Sequence, residues 1–169
     1  MELLLKELRA GLPDSAQMAR IIVRLVAAAA LGAVVGIQRE RAGKPAGVRT
    51  HMLVALGVAL FVIASLEFGM SSSDLSRVIQ GVATGIGFIG AGAILKLKEA
   101  REVEGLTTAA GIWMTAAVGM AAGLGRWGSA TLSVVLTLII LSIVGQITHR
   151  IERHQTSKDN SSVKPRRAP

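Results

Sequence analysis

Five apolar stretches, separated by short charged or glycine-bearing connections, constrain this chain more than any other feature. They run Ile21 to Ile37, His51 to Leu66, Val78 to Leu95, Leu106 to Leu124 and Gly128 to Ile147. At about 1.5 Å per helical residue, each spans most of a hydrocarbon core roughly 30 Å thick. Backbone polar groups find no water there, so such segments fold as helices or as a closed barrel. Runs such as LVAAAALGAVVGI and SVVLTLIILSIVG lack the in/out alternation of a barrel strand, which leaves helices. The expected fold is all-α, a polytopic membrane bundle of five transmembrane helices.

Composition agrees: 51% of residues are hydrophobic, and no cysteine is present to build a disulfide framework or a thiolate metal site. The formal charge of +8 does not point to nucleic acid, because the Lys and Arg residues sit in loops and tails between apolar spans. Their distribution predicts topology instead. Thirteen basic residues lie in the connection from Gln38 to Thr50, the connection after the third span and the carboxyl-terminal tail; five lie on the opposite side. The positive-inside rule places the amino terminus outside and the carboxyl terminus in the cytoplasm. Residues 1–20 then form an extracytoplasmic segment, in which Leu4, Leu5, Leu8 and Leu12 line one side of a short surface helix. Residues 21–147 form the membrane domain, and residues 148–169 a basic cytoplasmic tail whose polar, proline-containing composition predicts disorder. A cleaved signal peptide is the competing reading of the start, since Arg20 and Arg24 precede AAAALGA; against it, the apolar run begins late and has uncharged length enough to span.

Displacing the chain by 58 positions aligns LGAVVGI at Leu31 with IGAGAIL at Ile89 and Gly47 with Gly105, without gaps. The match implies two parallel helical hairpins with a fifth helix added. Only six of the thirty positions from Leu31 to Leu60 are identical, so a chance likeness between Gly/Ala-rich helices stays open. The Gly85, Gly87, Gly90 spacing has the form of a dinucleotide fingerprint, but the glycines occupy the middle of an apolar span with no preceding strand. Small residues there let helix backbones approach closely. Thr107, Gly111, Thr115, Gly119 and Gly123 recur every four residues; Ala28, Gly32 and Gly36 do the same on the first helix, and Gly81 and Gly85 begin such a ridge on the third. Helix packing is the expected role, ahead of a substrate path lined by small residues. Trp113 reads as a packing residue and Trp127 as an interfacial anchor.

Within the five spans the one charge is Arg24, on the same helix face as Ala28, Gly32 and Gly36. Its expected partner is Glu67, at the outer end of the second helix, in an intramembrane ion pair. Mg²⁺ takes hard oxygen ligands, usually including a carboxylate. The spans offer hydroxyls, Gln80, Gln146 and backbone carbonyls, which argues against a dehydrated Mg²⁺ site in mid-membrane. No metal site, catalytic set or cofactor is read from the chain. The cytoplasmic face is richer. Arg39, Glu40, Arg49 and Thr50 lie across from Glu104, Thr107 and Thr108, with Glu40 and Glu104 expected as acceptors and Arg39 and Arg49 as bidentate donors. The alternative is that the basic residues serve topology and anionic headgroups alone. His51 is a lone boundary histidine, for which a ligand or proton-switch role is the minority reading.

The segments GIQRERAGKPAGVRTHMLV from Gly36, GIGFIGAGAIL from Gly85 and GLTTAAGIW from Gly105 resemble the MgtC/SapB family, and the likeness covers residues from about 20 to 147. The resemblance implies a bacterial inner-membrane protein tied to magnesium homeostasis, low-magnesium growth and, in some pathogens, survival inside macrophages. Members were long labelled magnesium transporters, whereas the best-known branch looks like a regulator acting on other membrane machinery, including the proton-driven ATP synthase. Two departures from the family pattern stand out. Gln38 occupies a position where a glutamate is frequent, and Glu104 one where a basic residue is common. The virulence-associated branch also carries a folded cytoplasmic domain after the last helix, where about twenty polar residues are found here. The favoured expectation is a non-transporting regulator or interaction protein, with the lipid bilayer, a second copy or other membrane proteins as partners and no nucleic acid. A transporter or channel for Mg²⁺ or another small solute is the alternative, and an enzyme the least favoured class.

Overall fold

The structure is a computed structural model that describes residues 1–2, 13–96 and 103–144. The amphipathic helix expected within residues 1–12 and the tail at 148–169 fall outside the described residues, apart from Met1 and Glu2. Five helices form the bundle: α1 (Ser15–Arg41), α2 (Val48–Glu67), α3 (Ser72–Gly92), α4 (Leu106–Gly123) and α5 (Trp127–Ile139), the last continuing as a π-helical turn over Ile140–Val144. A two-residue antiparallel pairing of β1 (Leu95–Lys96) with β2 (Val103–Glu104) closes the loop between α3 and α4. α1, α2 and α4 are long and apolar enough to cross a membrane. The protein is a membrane helix bundle.

Local signals set the helix boundaries. Asp14 caps α1, its side chain accepting from the Gln17 N–H, and Ser71 caps α3 by accepting from the Asp74 N–H. The predicted third span, Val78 to Leu95, is displaced. α3 begins six residues earlier at the Ser71 cap and ends at Gly92, because capping rather than hydropathy decides where a helix starts. Gly105, with φ +96°, turns the chain into α4, and a β-carbon there would collide with the Ala93 carbonyl oxygen. Only glycine satisfies both conditions.

Three buried apolar clusters make up the core, and α4 contributes to each. Ala122 joins Ala28, Ala55 and Ala59 of α1 and α2; Ile112 and Ala116 join Val58 of α2 and Ile86 of α3; Val118 joins Val35 of α1 and Val134 of α5. α4 is the central helix. Its contacts with α2 are made without side chains on one partner: a β-carbon on Gly119 would strike the Ala55 backbone, and one on Gly123 would lie 2.9 Å from Ala59 O. α1 meets α2 in the same way, since β-carbons on Gly32 and Gly36 would lie 2.6 Å from His51 O and Val48 Cα. At such distances dispersion and Cα–H···O contacts hold helices without a hydrophobic driving force.

The displacement by 58 residues reappears in these contacts. Gly32 packs against His51, and Gly90 packs on Ala109, whose Cβ is 3.6 Å from a β-carbon placed there; both members of the second pair lie 58 positions after those of the first. Helices α2 and α4 also open 58 residues apart, at Val48 and Leu106, each after a glycine.

Three expectations about packing are corrected. Gly81 and Gly85 meet nothing within 4 Å, so the ridge begun on α3 faces outward and its buried glycine is Gly90. Thr107 is exposed, and the buried line on α4 runs through Thr108, Gly111, Thr115, Gly119 and Gly123. Gly111 belongs to that line, although its one close neighbour is the His51 ring. Trp113 is 53% exposed and so does not pack into the bundle of described helices.

Candidate functional site

The end of the bundle where α1 finishes and α2 and α4 begin gathers Arg39, His51 and Thr108, three of the six buried polar residues among those described. Arg39 falls three residues after Gly36, on the helix face that buries Ala28, Gly32 and Gly36, so its side chain is carried inward. It is 3% exposed; its Nη2 donates to Thr108 Oγ1 at 3.0 Å, and its Nε has no partner among the described residues. His51, in the first turn of α2, is fully buried. Its Nδ1 lies 3.0 Å from Gly47 O and donates to that carbonyl, and its Nε2 has no partner among the described residues. That nitrogen faces Gly111, one turn along α4 from Thr108; a β-carbon on Gly111 would lie 3.7 Å from it. Arg39 and His51 therefore reach the same helix at neighbouring turns.

Glu40 points the other way and has a different task. Its Oε2 accepts from the Val48 N–H at 3.0 Å, placing a carboxylate at the positive end of α2. Gly47 makes room for it, since a β-carbon there would lie 2.6 Å from the same oxygen. Arg49, Glu104 and Thr107 are exposed and Thr50 is half-buried. The expected ion pairs between Arg39 or Arg49 and Glu40 or Glu104 do not form; among the described residues the ion pair within 4.0 Å is Arg77 with Asp74 on α3. A backbone N–H and a threonine hydroxyl, both closer to hand, have taken the places of the charged partners. Gln38, next to Arg39, turns its Oε1 into a buried position without a partner among the described residues.

The Arg24–Glu67 pair is likewise corrected. Arg24 Nη1 donates to Gly123 O at 2.9 Å, while Glu67 Oε1 accepts from Gln17 Nε2 at 2.9 Å. Both residues line a cavity of about 180 Å³ with Arg20 and Leu66, but they do not bond to each other. α4 ends beside Arg24, and the Gly123 carbonyl, at the negative end of the helix dipole, accepts from the guanidinium.

Sequence reasoning found Arg39 and Thr108 but paired neither with the other, and it left His51 at the margin. The available signal was spacing: Ala28, Gly32, Gly36 and Arg39 follow one face of α1, so a residue facing the bundle had to find its partner on a helix and not in a loop. The buried polar groups at this end are a guanidinium, an imidazole and a hydroxyl. No group of three His, Asp or Glu able to hold a metal occurs among the described residues.

A family model described as the MgtC family matches residues 25–150. The chain belongs to the MgtC family. The matched region takes in Arg39, His51 and Thr108 and begins one residue after Arg24. Among individual relatives, the chain is 47% identical to Protein SrpB of Synechococcus elongatus over 130 residues, 70% of this chain and 71% of that one. It is 42% identical to the putative magnesium transporter YhiD of Escherichia coli over 140 residues, 79% of this chain and 64% of YhiD. To Protein MgtC of Salmonella typhimurium it is 36% identical over 132 residues, covering 78% of this chain and 55% of MgtC. The chain thus spans less than two thirds of YhiD and MgtC, and the family likeness is carried by the membrane domain. No solved structure matches the chain.

Proposed function

We propose that this protein is a magnesium-linked component of the bacterial inner membrane that acts by contact with other membrane proteins or with its own copies, without carrying Mg²⁺ and without catalysis. The magnesium link comes from the family and from YhiD, whose name describes a putative magnesium transporter. The observation that carries the non-transporting reading is the chemistry of the interior. Its buried polar side chains are Arg39, His51, Ser65, Thr108, Thr115 and Thr137, with no carboxylate among the described residues. Mg²⁺ dehydrates reluctantly and calls for hard oxygen donors, with carboxylates to offset its charge. A buried guanidinium offers the opposite. The alanine cluster and the glycine contacts also close the interior between α1, α2 and α4.

An outward surface suited to contact is found on α3, where Gln80, Gly81, Thr84, Gly85 and Phe88 are exposed. In a bilayer, small and polar residues at a helix surface favour helix–helix association over lipid. The charge asymmetry supports an amino terminus outside and a carboxyl terminus in the cytoplasm.

Purified protein in sealed vesicles loaded with a magnesium indicator tests the reading: Mg²⁺ entry should match that of empty vesicles. Saturable flux that disappears in Arg39→Gln would establish the transporter instead. In cells, Arg39→Gln should abolish a low-magnesium growth phenotype while the protein still accumulates in the membrane, and Lys44→Gln, in the exposed loop, should leave growth unchanged.

A further inference from the structure

Gln17, Arg20 and Arg24 follow one face of α1 at steps of three and four residues, so two guanidiniums stand about a turn apart on the same side of the helix. Like charges at that spacing repel. Glu67, the last residue of α2, lines the same cavity of about 180 Å³, whose apolar wall includes Ile63 and Leu66. The two signs do not neutralise each other: among the described residues no ion pair within 4.0 Å links Glu67 to either arginine. Neutral groups hold them instead. Glu67 Oε1 accepts from the Gln17 amide at 2.9 Å, and Arg24 Nη1 donates to Gly123 O at 2.9 Å. Gly125 presses on the guanidinium from a second side, since a β-carbon there would lie 3.0 Å from Arg24 Nη2. Arg24 and Glu67 are thus fixed in place with their charges uncompensated by one another.

We infer that this cavity binds a zwitterion, a phosphate joined to an ammonium group, with the phosphate on Arg20 and Arg24 and the ammonium on Glu67. An oxyanion between two guanidiniums relieves their repulsion through charge-assisted hydrogen bonds, and the Glu67 carboxylate, with the oxygen that Gln17 does not engage, accepts from the ammonium. The mixed lining sets the class: an anion alone would be repelled by Glu67, and a cation alone by the two arginines. Depth sets the anion as a phosphate. The apolar run of α1 begins at Ile21 and that of α2 ends at Leu66, so the cavity straddles the end of the spans, the level at which lipid headgroups lie. The same chemistry is presented by an ethanolamine phospholipid and by free phosphoethanolamine. The site lies at the opposite end of α1 from Arg39, and nothing in it depends on the magnesium reading.

Delipidated full-length protein in neutral detergent would be titrated with dioleoylphosphatidylethanolamine and with dioleoylphosphatidylglycerol, which keeps the phosphate and lacks the ammonium, and bound lipid counted by native mass spectrometry. In parallel, thermal unfolding would be followed in phosphoethanolamine against potassium phosphate of equal ionic strength. Arg20 and Glu67 are exposed and belong to none of the core clusters, so their variants alter the site and leave the bundle intact. Wild-type protein should bind the ethanolamine lipid on the order of tenfold more tightly than Arg20→Gln does, and should prefer it to the glycerol lipid by about fivefold. Glu67→Gln, which can still accept from Gln17, should lose that preference, while Lys44→Gln, near the other end of α1, behaves as wild type. Retention of the ethanolamine lipid with no effect of phosphoethanolamine assigns the site to a headgroup; stabilisation by phosphoethanolamine assigns it to the free compound. Equal affinity of the wild type for the two lipids, an undiminished preference in Glu67→Gln, or binding by Arg20→Gln as tight as that of the wild type overturns the inference.

Discussion

A β-carbon placed on Gly119 runs into the Ala55 backbone, while one placed on Gly81 meets nothing within 4 Å. The same substitution should therefore have opposite signs at the two positions. Alanine in a helix is favoured over glycine by roughly 0.5–1 kcal/mol, whereas overpacking a tight contact costs roughly 1–3 kcal/mol. Gly119→Ala should lower the midpoint of thermal unfolding in detergent, and Gly81→Ala should leave it level or raise it. Identical shifts would show that the α2–α4 contact is not packed as described. Four-residue spacing was legible in both helices, but spacing identifies a face without saying what covers it, so Gly81 and Gly85 read like Gly32 and Gly36. Arg24 shows the same limit for charge. A shared leaflet made Glu67 its natural partner, yet the carbonyl of Gly123 lay nearer. Arg24→Ala should destabilise the protein, and its effect should add to that of Glu67→Gln within about 0.5 kcal/mol in a double-mutant cycle, since the two share no hydrogen bond. Strong coupling would restore the ion pair.

Helices α2 and α4 open at matching positions, and among the described residues a side chain bonds the first-turn N–H groups of α2 alone. Glu40 serves α2, so Glu40→Ala should lower the unfolding midpoint where Lys44→Ala does not; equal effects would remove Glu40 from its capping role. Gly105→Ala should be more damaging than Gly43→Ala, although both glycines have positive φ, because only at Gly105 does the new β-carbon also meet a backbone carbonyl. Refolding yields in detergent would compare them. Hydropathy read α2 and α4 to within three residues because their apolar runs and helical limits nearly coincide, whereas α1 begins six residues before its apolar run and ends four after it. α3 escaped it: the first six residues, Ser72 to Arg77, are polar apart from Leu75, so a reading of apolar length began the helix late although Ser71 and Asp74 spell out a cap. At the site, Arg39 and Thr108 were visible as residues, but their bond was not, because 69 residues separate them and only the packing of α1 on α4 brings them together.

As a whole the molecule is a bundle in which one helix, α4, touches every core cluster. Single cysteines should report its orientation in the membrane: position 44 should react from the cytoplasm and positions 74 and 126 from outside, as the basic residues predict. Labelling of position 44 from outside alone would invert the bundle. The place of α4 also bears on how the chain is made. Synthesis delivers α1, α2 and α3 to the bilayer first, and the α1–α2 hairpin can close at once through Gly32 and Gly36. The alanine, isoleucine and valine clusters all wait for residues 112–122, so nascent protein arrested near residue 100 has a hairpin and no finished interior. Stability should then rise steeply as a growing chain passes Gly123 and be complete once Val134 of α5 joins the valine cluster, and membrane proteases should clear anything shorter than α4.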